Sequence, residues 1–292
     1  MIVIKNNCSG SIPPGFFSNF FLVLDWLHNS MYTNQKTSVS WTTCTQENLW
    51  DNLFESSEFG IEDKIELIVN NFRCLYDKTL TITEINEKIK IYNKYDGWFY
   101  NNVNIFFDSD FQSLRDEFNK TFSLLTIKKE ILQELEKYES EITPKTIGVA
   151  IRIPSHYTID KTEGIPVNTI LNPIDFYNKI SEEILYKFQK GNFDKIFVCC
   201  DVDYFIELLK TKIDEEKLIF IKYQRVQNMD GDWVEKKLKL VDEYRLVLMD
   251  SLLLSKCSYI FGGSSNIFLG SLIINNKLGF EILECLNNYY GL

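Results

Sequence analysis

The chain has 292 residues, of which 45% are hydrophobic, enough to fill the cores of two domains of ordinary size. Its 41 acidic and 31 basic residues give a net charge of −10, which disfavours binding to a nucleic-acid backbone. The first apolar run is too short for a signal peptide, and no run approaches the roughly 20 apolar residues of a membrane span. We therefore expect a cytoplasmic protein without a membrane span.

The cysteines and histidines exclude two further classes of protein. Seven cysteines without CxxC spacing indicate a reducing compartment rather than a disulfide-stapled secreted domain. The two histidines, His28 and His156, are too few for a histidine-rich metal site, and no zinc-ligand spacing is present. We predict no bound metal.

The N-terminal part opens with a predicted strand over 2–5, a loop containing Gly15, and a helix over 16–31. A strand, a glycine turn and a helix make one α/β unit. The following pattern predicts a strand over 39–41 and helices over 47–54, 62–75, 83–92 and 110–141. Thr143-Pro144 ends the last helix and predicts a boundary between domains 1–142 and 143–292.

The C-terminal half alternates strands and helices. Strands are predicted over 146–151, 195–200, 218–222, 259–262 and 279–283, and helices over 175–188, 204–213, 240–254 and 267–275. Because the strands are almost continuously apolar, they predict a parallel sheet covered on both faces, as in a Rossmann-like α/β domain. The loops over 153–172 and 223–238 exceed the usual length of about 2–6 residues, which indicates function.

Two strand ends suit an anionic ligand. Arg152 directly follows the strand over 146–151, where open α/β sheets hold ligands, although a surface arginine paired with a carboxylate is the alternative. Ser264, Ser265 and Asn266 follow Gly262-Gly263 and open a helix. They form either a simple N-cap or a phosphate site made by the helix N-terminus.

Acidic residues supply further candidates. Asp250 lies in an apolar helix, where a carboxylate either braces a loop or meets a ligand. Asp201 and Asp203 follow a strand as a DxD tripeptide, which holds a divalent ion in metal-dependent glycosyltransferases; alternatively Asp203 is an N-cap and Asp201 the ligand group. Arg245 pairs with Asp242 or with the ligand.

The loop after Arg152 carries three candidate general bases, His156, Asp160 and Glu163. Each would accept a proton from an acceptor hydroxyl, or is an ordinary solvated side chain.

Four segments together resemble the fucosyltransferase superfamily that includes α1,6-fucosyltransferases, the rhizobial nodulation fucosyltransferase and protein O-fucosyltransferases. Residues 147–152 resemble the G-V-H-x-R strand, and 172–177 resemble the start of the next helix. Residues 196–201 resemble I-x-V-A-T-D. Residues 247–257 with 261–266 resemble I-L-D-x-x-x-L-S-x-A/C-D followed by T-x-S-S.

In the N-terminal half, residues 15–19 resemble the family's glycine turn into a helix, and Trp41 with 50–54 resembles W…N-x-F. Ala150 and Ile153 depart from the family, which often has His and Arg there, and Val202 replaces an acidic residue of some relatives.

The resemblance implies a GT-B-like α/β fold with two Rossmann-like domains facing across a cleft. Domain 1–142 would be the acceptor side, and 143–292 would bind the nucleotide sugar, with its last residues packing back on the first domain. It implies an inverting glycosyltransferase without a metal or other cofactor, with GDP-fucose the favoured donor and a glycan or protein hydroxyl as acceptor. The predicted catalytic residues are Arg152, whose role the resemblance implies, and His156 and Glu163 from the loop that follows it. The implied donor-binding residues are Asp201, Asp250, Ser264, Ser265, Asn266, Gly15 and Asn19.

Two alternatives stay open. One is a metal-dependent GT-A glycosyltransferase that uses Asp201 and Asp203 with Mn²⁺ or Mg²⁺. The other is a non-catalytic Rossmann-like binding or scaffold protein, a hypothesis supported by Ala150 and Ile153. For the aromatic residues of the N-terminal half, the glycosyltransferase resemblance implies stacking on an acceptor sugar, and the alternative is that they simply fill the core.

Overall fold

A computed structural model describes the backbone of much of the chain. The described residues are 2–6, 16–17, 20–21, 23–24, 27–28, 39–42, 48–55, 65–70, 73–76, 106, 109–151, 173–223, 240–263 and 265–286. The chain divides into two compact units. The first comprises Met1–Glu134, Leu240–Met249 and Leu272–Asn276, and the second comprises Leu135–Lys239, Asp250–Ser271 and Lys277–Leu292. The predicted boundary near residue 142 stays a prediction.

The first unit contains a four-stranded sheet. Its strands are β1 (Ile2–Asn6), β2 (Val39–Thr42), β3 (Ile65–Asn70) and β4 (Arg73–Tyr76). The strand order is β2-β1-β3-β4, with β1 parallel to both neighbours and β4 antiparallel to β3. The described residues between 16 and 28 are helical, as predicted. Helices α1 (Leu49–Leu53) and α2 (Phe111–Phe122) follow, and α3 (Lys129–Glu139) begins in this unit.

The predicted helix over 62–75 is wrong, because its described residues lie in the antiparallel strands β3 and β4. Ile65, Ile68 and Val69 are β-branched and favour a strand, and five of the six residues of β3 pair in parallel with Ile2 to Asn6 of β1. Asparagine, present at positions 70 and 71, favours a turn. A short apolar run is compatible with a helix or with a strand, and here the pairing with β1 selects the strand.

The predicted helix over 110–141 is two helices, α2 and α3. Between them the chain makes a turn at residues 123–124, and then the backbone of Thr126 and Lys128 forms hydrogen bonds with that of Glu55 and Leu53 at 2.8 and 3.0 Å. These bonds and an antiparallel bridge between Phe54 and Ile127 use backbone groups that a continuous helix would need, so α2 and α3 stay separate helices. The predicted helix over 83–92 lies outside the described residues.

The second unit contains a parallel five-stranded sheet, as the alternating pattern predicts. Its strands are β5 (Thr146–Ile151), β6 (Lys195–Cys200), β7 (Leu218–Ile219), β8 (Tyr259–Gly262) and β9 (Gly279–Ile282). Four helices complete the sequence of elements in chain order: α4 (Pro173–Lys190), α5 (Asp203–Lys210), α6 (Leu240–Lys256) and α7 (Asn266–Ile274). The first part of α6 and the last residues of α7 belong to the first unit.

Central strand β5 is buried along its whole length, which explains its uninterrupted apolar sequence. Within it, a Cβ on Gly148 would lie 2.8 Å from side-chain atoms of Ile260 and Leu254, so only glycine fits without rearrangement. No helix among the described residues is long and apolar enough to cross a membrane.

Candidate functional site

The strand order of the parallel sheet locates its ligand-binding edge. From β5 the chain adds β6 and β7 on one side, then returns to add β8 and β9 on the other, giving the order β7-β6-β5-β8-β9. The order therefore reverses between β5 and β8. In open α/β sheets, ligands bind outside the carboxyl ends of the strands at this point. Strand β5 ends at Ile151 and β8 ends at Gly262. The residues that follow these two strand ends are thus candidates for the site.

Gly262 keeps the ends of β5 and β8 close together. It is paired with Ala150 across the two strands. A Cβ at position 262 would lie 2.6 Å from the Ala150 carbonyl oxygen and 2.8 Å from the Phe268 ring. Because the first of these atoms belongs to the backbone, a side chain at position 262 would push the strands apart.

The N-terminus of α7 follows Gly262 closely. The Ser265 hydroxyl accepts a hydrogen bond of 3.3 Å from the Phe268 N–H, and the Ser265 carbonyl accepts one of 3.0 Å from Leu269. Ser265 is therefore the N-cap, one of the two roles its sequence predicts. Asn266 is the first helical residue, and both side chains are buried. A helix N-terminus without an acidic residue in its first turn has a positive partial charge that suits an anion.

Asp201 follows β6, next to the end of β5, since Cys200 is paired with Ile151. The Asp201 side chain is half-buried. Val202, rather than the predicted Asp203, occupies the N-cap position of α5, and Asp203 is the exposed first helical residue. Its carboxylate lies in the first turn, where the helix dipole favours negative charge without requiring a cap bond.

Asp250 is buried in α6, with 1% of its surface exposed. The Tyr223 hydroxyl donates a hydrogen bond of 2.9 Å to its Oδ2 atom. Tyr223 comes shortly after β7 and directly precedes the segment 224–239. A hydrogen bond from a neutral hydroxyl is part of what makes a buried carboxylate tolerable. The sequence points to Asp250 but not to its partner, because a tyrosine near a strand end has no distinguishing pattern.

Arg245 forms an ion pair with Glu134, a partner that differs from both alternatives of the sequence analysis, Asp242 and the ligand. The partner lies on α3, far away in sequence, so helical spacing alone does not reveal it.

The described aromatic side chains of the N-terminal half form a core. Trp41, Trp50 and Phe54 are fully buried. The Trp50 and Phe54 rings lie 4.3 Å apart, and Phe16 stacks on Trp41 at 5.6 Å. Core packing, one of the two interpretations of these residues, therefore holds for them.

Several predicted site residues lie outside the described residues and remain predictions from sequence. These are Arg152, His156, Asp160, Glu163, Ser264, Gly15 and Asn19. Among the residues that are described, no three His, Cys, Asp or Glu side chains are grouped so that they would bind a metal ion together.

No family model and no curated protein sequence matches the chain. Among solved structures, it resembles the NodZ α-1,6-fucosyltransferase soaked with GDP-fucose, with a TM-score of 0.50 and 12% identity over 94% of this chain and 92% of that one. NodZ from Bradyrhizobium gives 0.50 and 12% over 92% and 91%. The apo form of POFUT1 gives 0.48 and 9% over 97% of each chain. The chain thus has the mixed α/β fold of the NodZ fucosyltransferases, as its sequence predicts.

Proposed function

We propose that this chain is a glycosyltransferase that moves a sugar from a nucleotide sugar to a hydroxyl of a glycan or protein. GDP-fucose is the favoured donor, and the transfer inverts the anomeric centre without a metal. One observation carries the proposal. The two strands beside the switch point, β5 and β8, are those that the sequence continues with Arg152 and with the Gly-Gly-Ser-Ser-Asn segment.

The chemistry follows from the charge that develops on the leaving group. The acceptor oxygen attacks the anomeric carbon from the face opposite the diphosphate, the carbon–oxygen bond to the diphosphate breaks, and the nucleoside diphosphate leaves with the bonding electrons. Arg152 would offer a bidentate guanidinium to that diphosphate, and the N-terminus of α7 would add backbone N–H groups. Both stabilise negative charge more in the transition state than in the bound donor.

The attacking hydroxyl must lose its proton. His156 and Glu163 are the proposed acceptors, since both follow Arg152 on the same loop of the sequence. A single displacement on the face opposite the leaving group inverts the anomeric carbon, because no covalent sugar–enzyme intermediate forms.

The donor assignment combines the fold with two carboxylates. NodZ has been soaked with GDP-fucose, and this chain shares the NodZ fold. Asp201 and Asp250 would accept hydrogen bonds from the N–H groups of a guanine or from the ribose hydroxyls. Asp201 supports this proposal through its position at the end of β6, beside the strand that leads to Arg152.

The first test is a thermal-shift comparison of GDP, UDP and ADP, followed by an assay of GDP release from GDP-fucose. A ligand present at 100 times its Kd stabilises the folded chain by about 2.7 kcal/mol. We expect GDP to give the largest shift, Arg152→Ala to lose turnover, and Arg152→Lys to recover only part of it. Unchanged turnover in Arg152→Ala would contradict the proposed role, and no shift with any nucleotide would favour the scaffold alternative.

Chelation separates the metal-free mechanism from the GT-A alternative. We expect turnover to survive EDTA. Activity that is lost on chelation and restored by Mn²⁺, but not in Asp201→Asn, would replace the present proposal with a metal-dependent one.

A further inference from the structure

Helix α7 has no hydrogen-bond donors of its own for the carbonyls at its C-terminal end. Its sequence, NIFLGSLII, has no basic residue in the last turn, and almost all of its side chains are buried. The last four carbonyls of any α-helix lack partners within the helix. In an apolar, buried helix these carbonyls need donors from another part of the chain.

Helix α2 supplies those donors. Gln112, Arg115 and Asn119 are spaced i, i+3 and i+7, which places them along one face of α2. Five consecutive carbonyls, those of residues 272 to 276, each accept a hydrogen bond from one of these three side chains.

The distances describe a complete cap. Arg115 donates from Nε to the Leu272 carbonyl at 3.1 Å and from Nη2 to the Asn275 carbonyl at 3.0 Å. Asn119 Nδ2 donates to the Ile273 and Ile274 carbonyls at 3.0 and 2.8 Å. Gln112 Nε2 donates to the Asn276 carbonyl at 2.9 Å.

Arg115 is a buried cation at the negative end of the α7 dipole. It is 4% exposed, and burial lowers its pKa to about 10, so it is charged at neutral pH. Asp116 supports the same contact, because its carboxylate accepts hydrogen bonds from Asn276 at 2.7 Å and from Gln112 at 2.9 Å. A cation at a helix C-terminus is stabilising when it is partly buried.

We propose that Arg115, together with Asn119 and Gln112, is a positioning group that fixes the diphosphate-binding end of α7. The inference rests on the proposed function. A helix of nine residues is about 13 Å long and moves as one body, so anchoring its C-terminus sets where its N-terminal N–H groups lie. The groups that contact a ligand must be held to about 0.5 Å. A helix whose C-terminal carbonyls lack hydrogen-bond partners would not be held in place so precisely.

The experiment compares two ligands that differ only in the diphosphate, GDP and guanosine, by titration calorimetry. In Arg115→Met we expect the Kd of GDP to rise about fivefold to tenfold, while that of guanosine changes less than about twofold. A purely structural role would lower thermal stability without changing the ratio of the two Kd values. Titrations are run at a temperature where circular dichroism shows each variant folded.

The matched control is Lys120→Met, which removes an exposed positive charge from the same helix. It should leave both Kd values unchanged. Asn119→Ala removes the donor to two carbonyls at a smaller cost to folding, and should raise the Kd of GDP about threefold if Arg115→Met does not fold.

GDP binding that is unchanged in both cap variants, or an equal loss of GDP and guanosine binding, would overturn the inference and leave the proposed function intact. Failure of the wild type to bind GDP would overturn the GDP-fucose assignment, and failure to bind any of GDP, UDP and ADP would overturn the proposed function and the inference with it.

Discussion

Replacing Gly262 with alanine tests whether the close approach of β5 and β8 builds the site. The new methyl carbon would lie 2.6 Å from the Ala150 carbonyl oxygen and 2.8 Å from the Phe268 ring. Overpacking a tight core costs about 1–3 kcal/mol, and the contact here involves the backbone of a buried central strand. We therefore expect Gly262→Ala to lower the free energy of unfolding by about 2–3 kcal/mol.

A matched control lies at the edge of the same sheet. In Gly279→Ala the new Cβ would lie 2.7 Å from the Tyr259 ring, a similar distance, but the neighbour is a half-buried side chain, so the contact is relieved by turning the ring at the expense of its 2.7 Å hydrogen bond to the Phe280 carbonyl. We expect a loss of only about 1 kcal/mol there. Urea unfolding followed by circular dichroism measures both values, and calorimetry with GDP measures binding in the surviving folded protein.

The two variants should also differ in ligand binding. Gly262→Ala should weaken GDP binding, because the strand ends would separate, whereas Gly279→Ala should bind GDP as the wild type does. An equal loss of stability in the two variants, or wild-type stability in Gly262→Ala, would refute the argument from backbone contact.

Ser265→Asp and Ser265→Asn both keep a side-chain cap and enlarge the same buried residue to nearly the same size, but only the aspartate adds a negative charge, so Ser265→Asp should bind GDP more weakly than Ser265→Asn; equal GDP affinity in the two variants would contradict an anion site. Tyr223→Phe should lower the free energy of unfolding by about 1–3 kcal/mol, because the buried carboxylate of Asp250 loses a donor; a urea midpoint equal to that of the wild type would show that this bond contributes nothing. Hydrogen bonds from Asn276 and Gln112 hold the pKa of Asp116 below its ordinary value of 3.8. Its stabilising contribution is therefore complete well above that value and is lost as the pH falls through the lower folded pKa, so stability measured on acidification from about pH 5 should fall more steeply in the wild type than in Asp116→Asn; parallel profiles would argue against it.

The strands of the second unit were predictable, because each is a short apolar run bounded by polar or glycine residues. The predicted strand over 259–262 matches β8 at both ends. The segment 62–75 was not predictable in this way, since its apolar residues fit a helix until β1 provides partners for β3. The break between α2 and α3 likewise depends on backbone bonds to residues 53 and 55, which the local sequence does not reveal.

In the candidate site, too, the features set by neighbouring residues were predictable and those set by distant residues were not. The cap formed by Ser265 and the burial of Asp250 follow from local pattern, because each residue contrasts with its immediate neighbours. Arg115 does not stand out in a charged helix, and its hydrogen-bond partners beyond that helix are backbone carbonyls, the nearer of them 157 positions away in sequence. A carbonyl is common to every residue, so the sequence contains no sign of which ones an arginine will bind.

The apolar character of α7 has a consequence for the chain when it is not folded. Residues 267–274 contain no charge and no proline, and they include β-branched and aromatic side chains. Such a segment is buried in the native state, but once exposed it pairs readily with copies of itself as intermolecular β-structure. We therefore expect heating to be irreversible, with aggregation beginning at this segment. Weakening the cap from α2 should then shorten the lifetime of the protein in solution before any loss of secondary structure is seen.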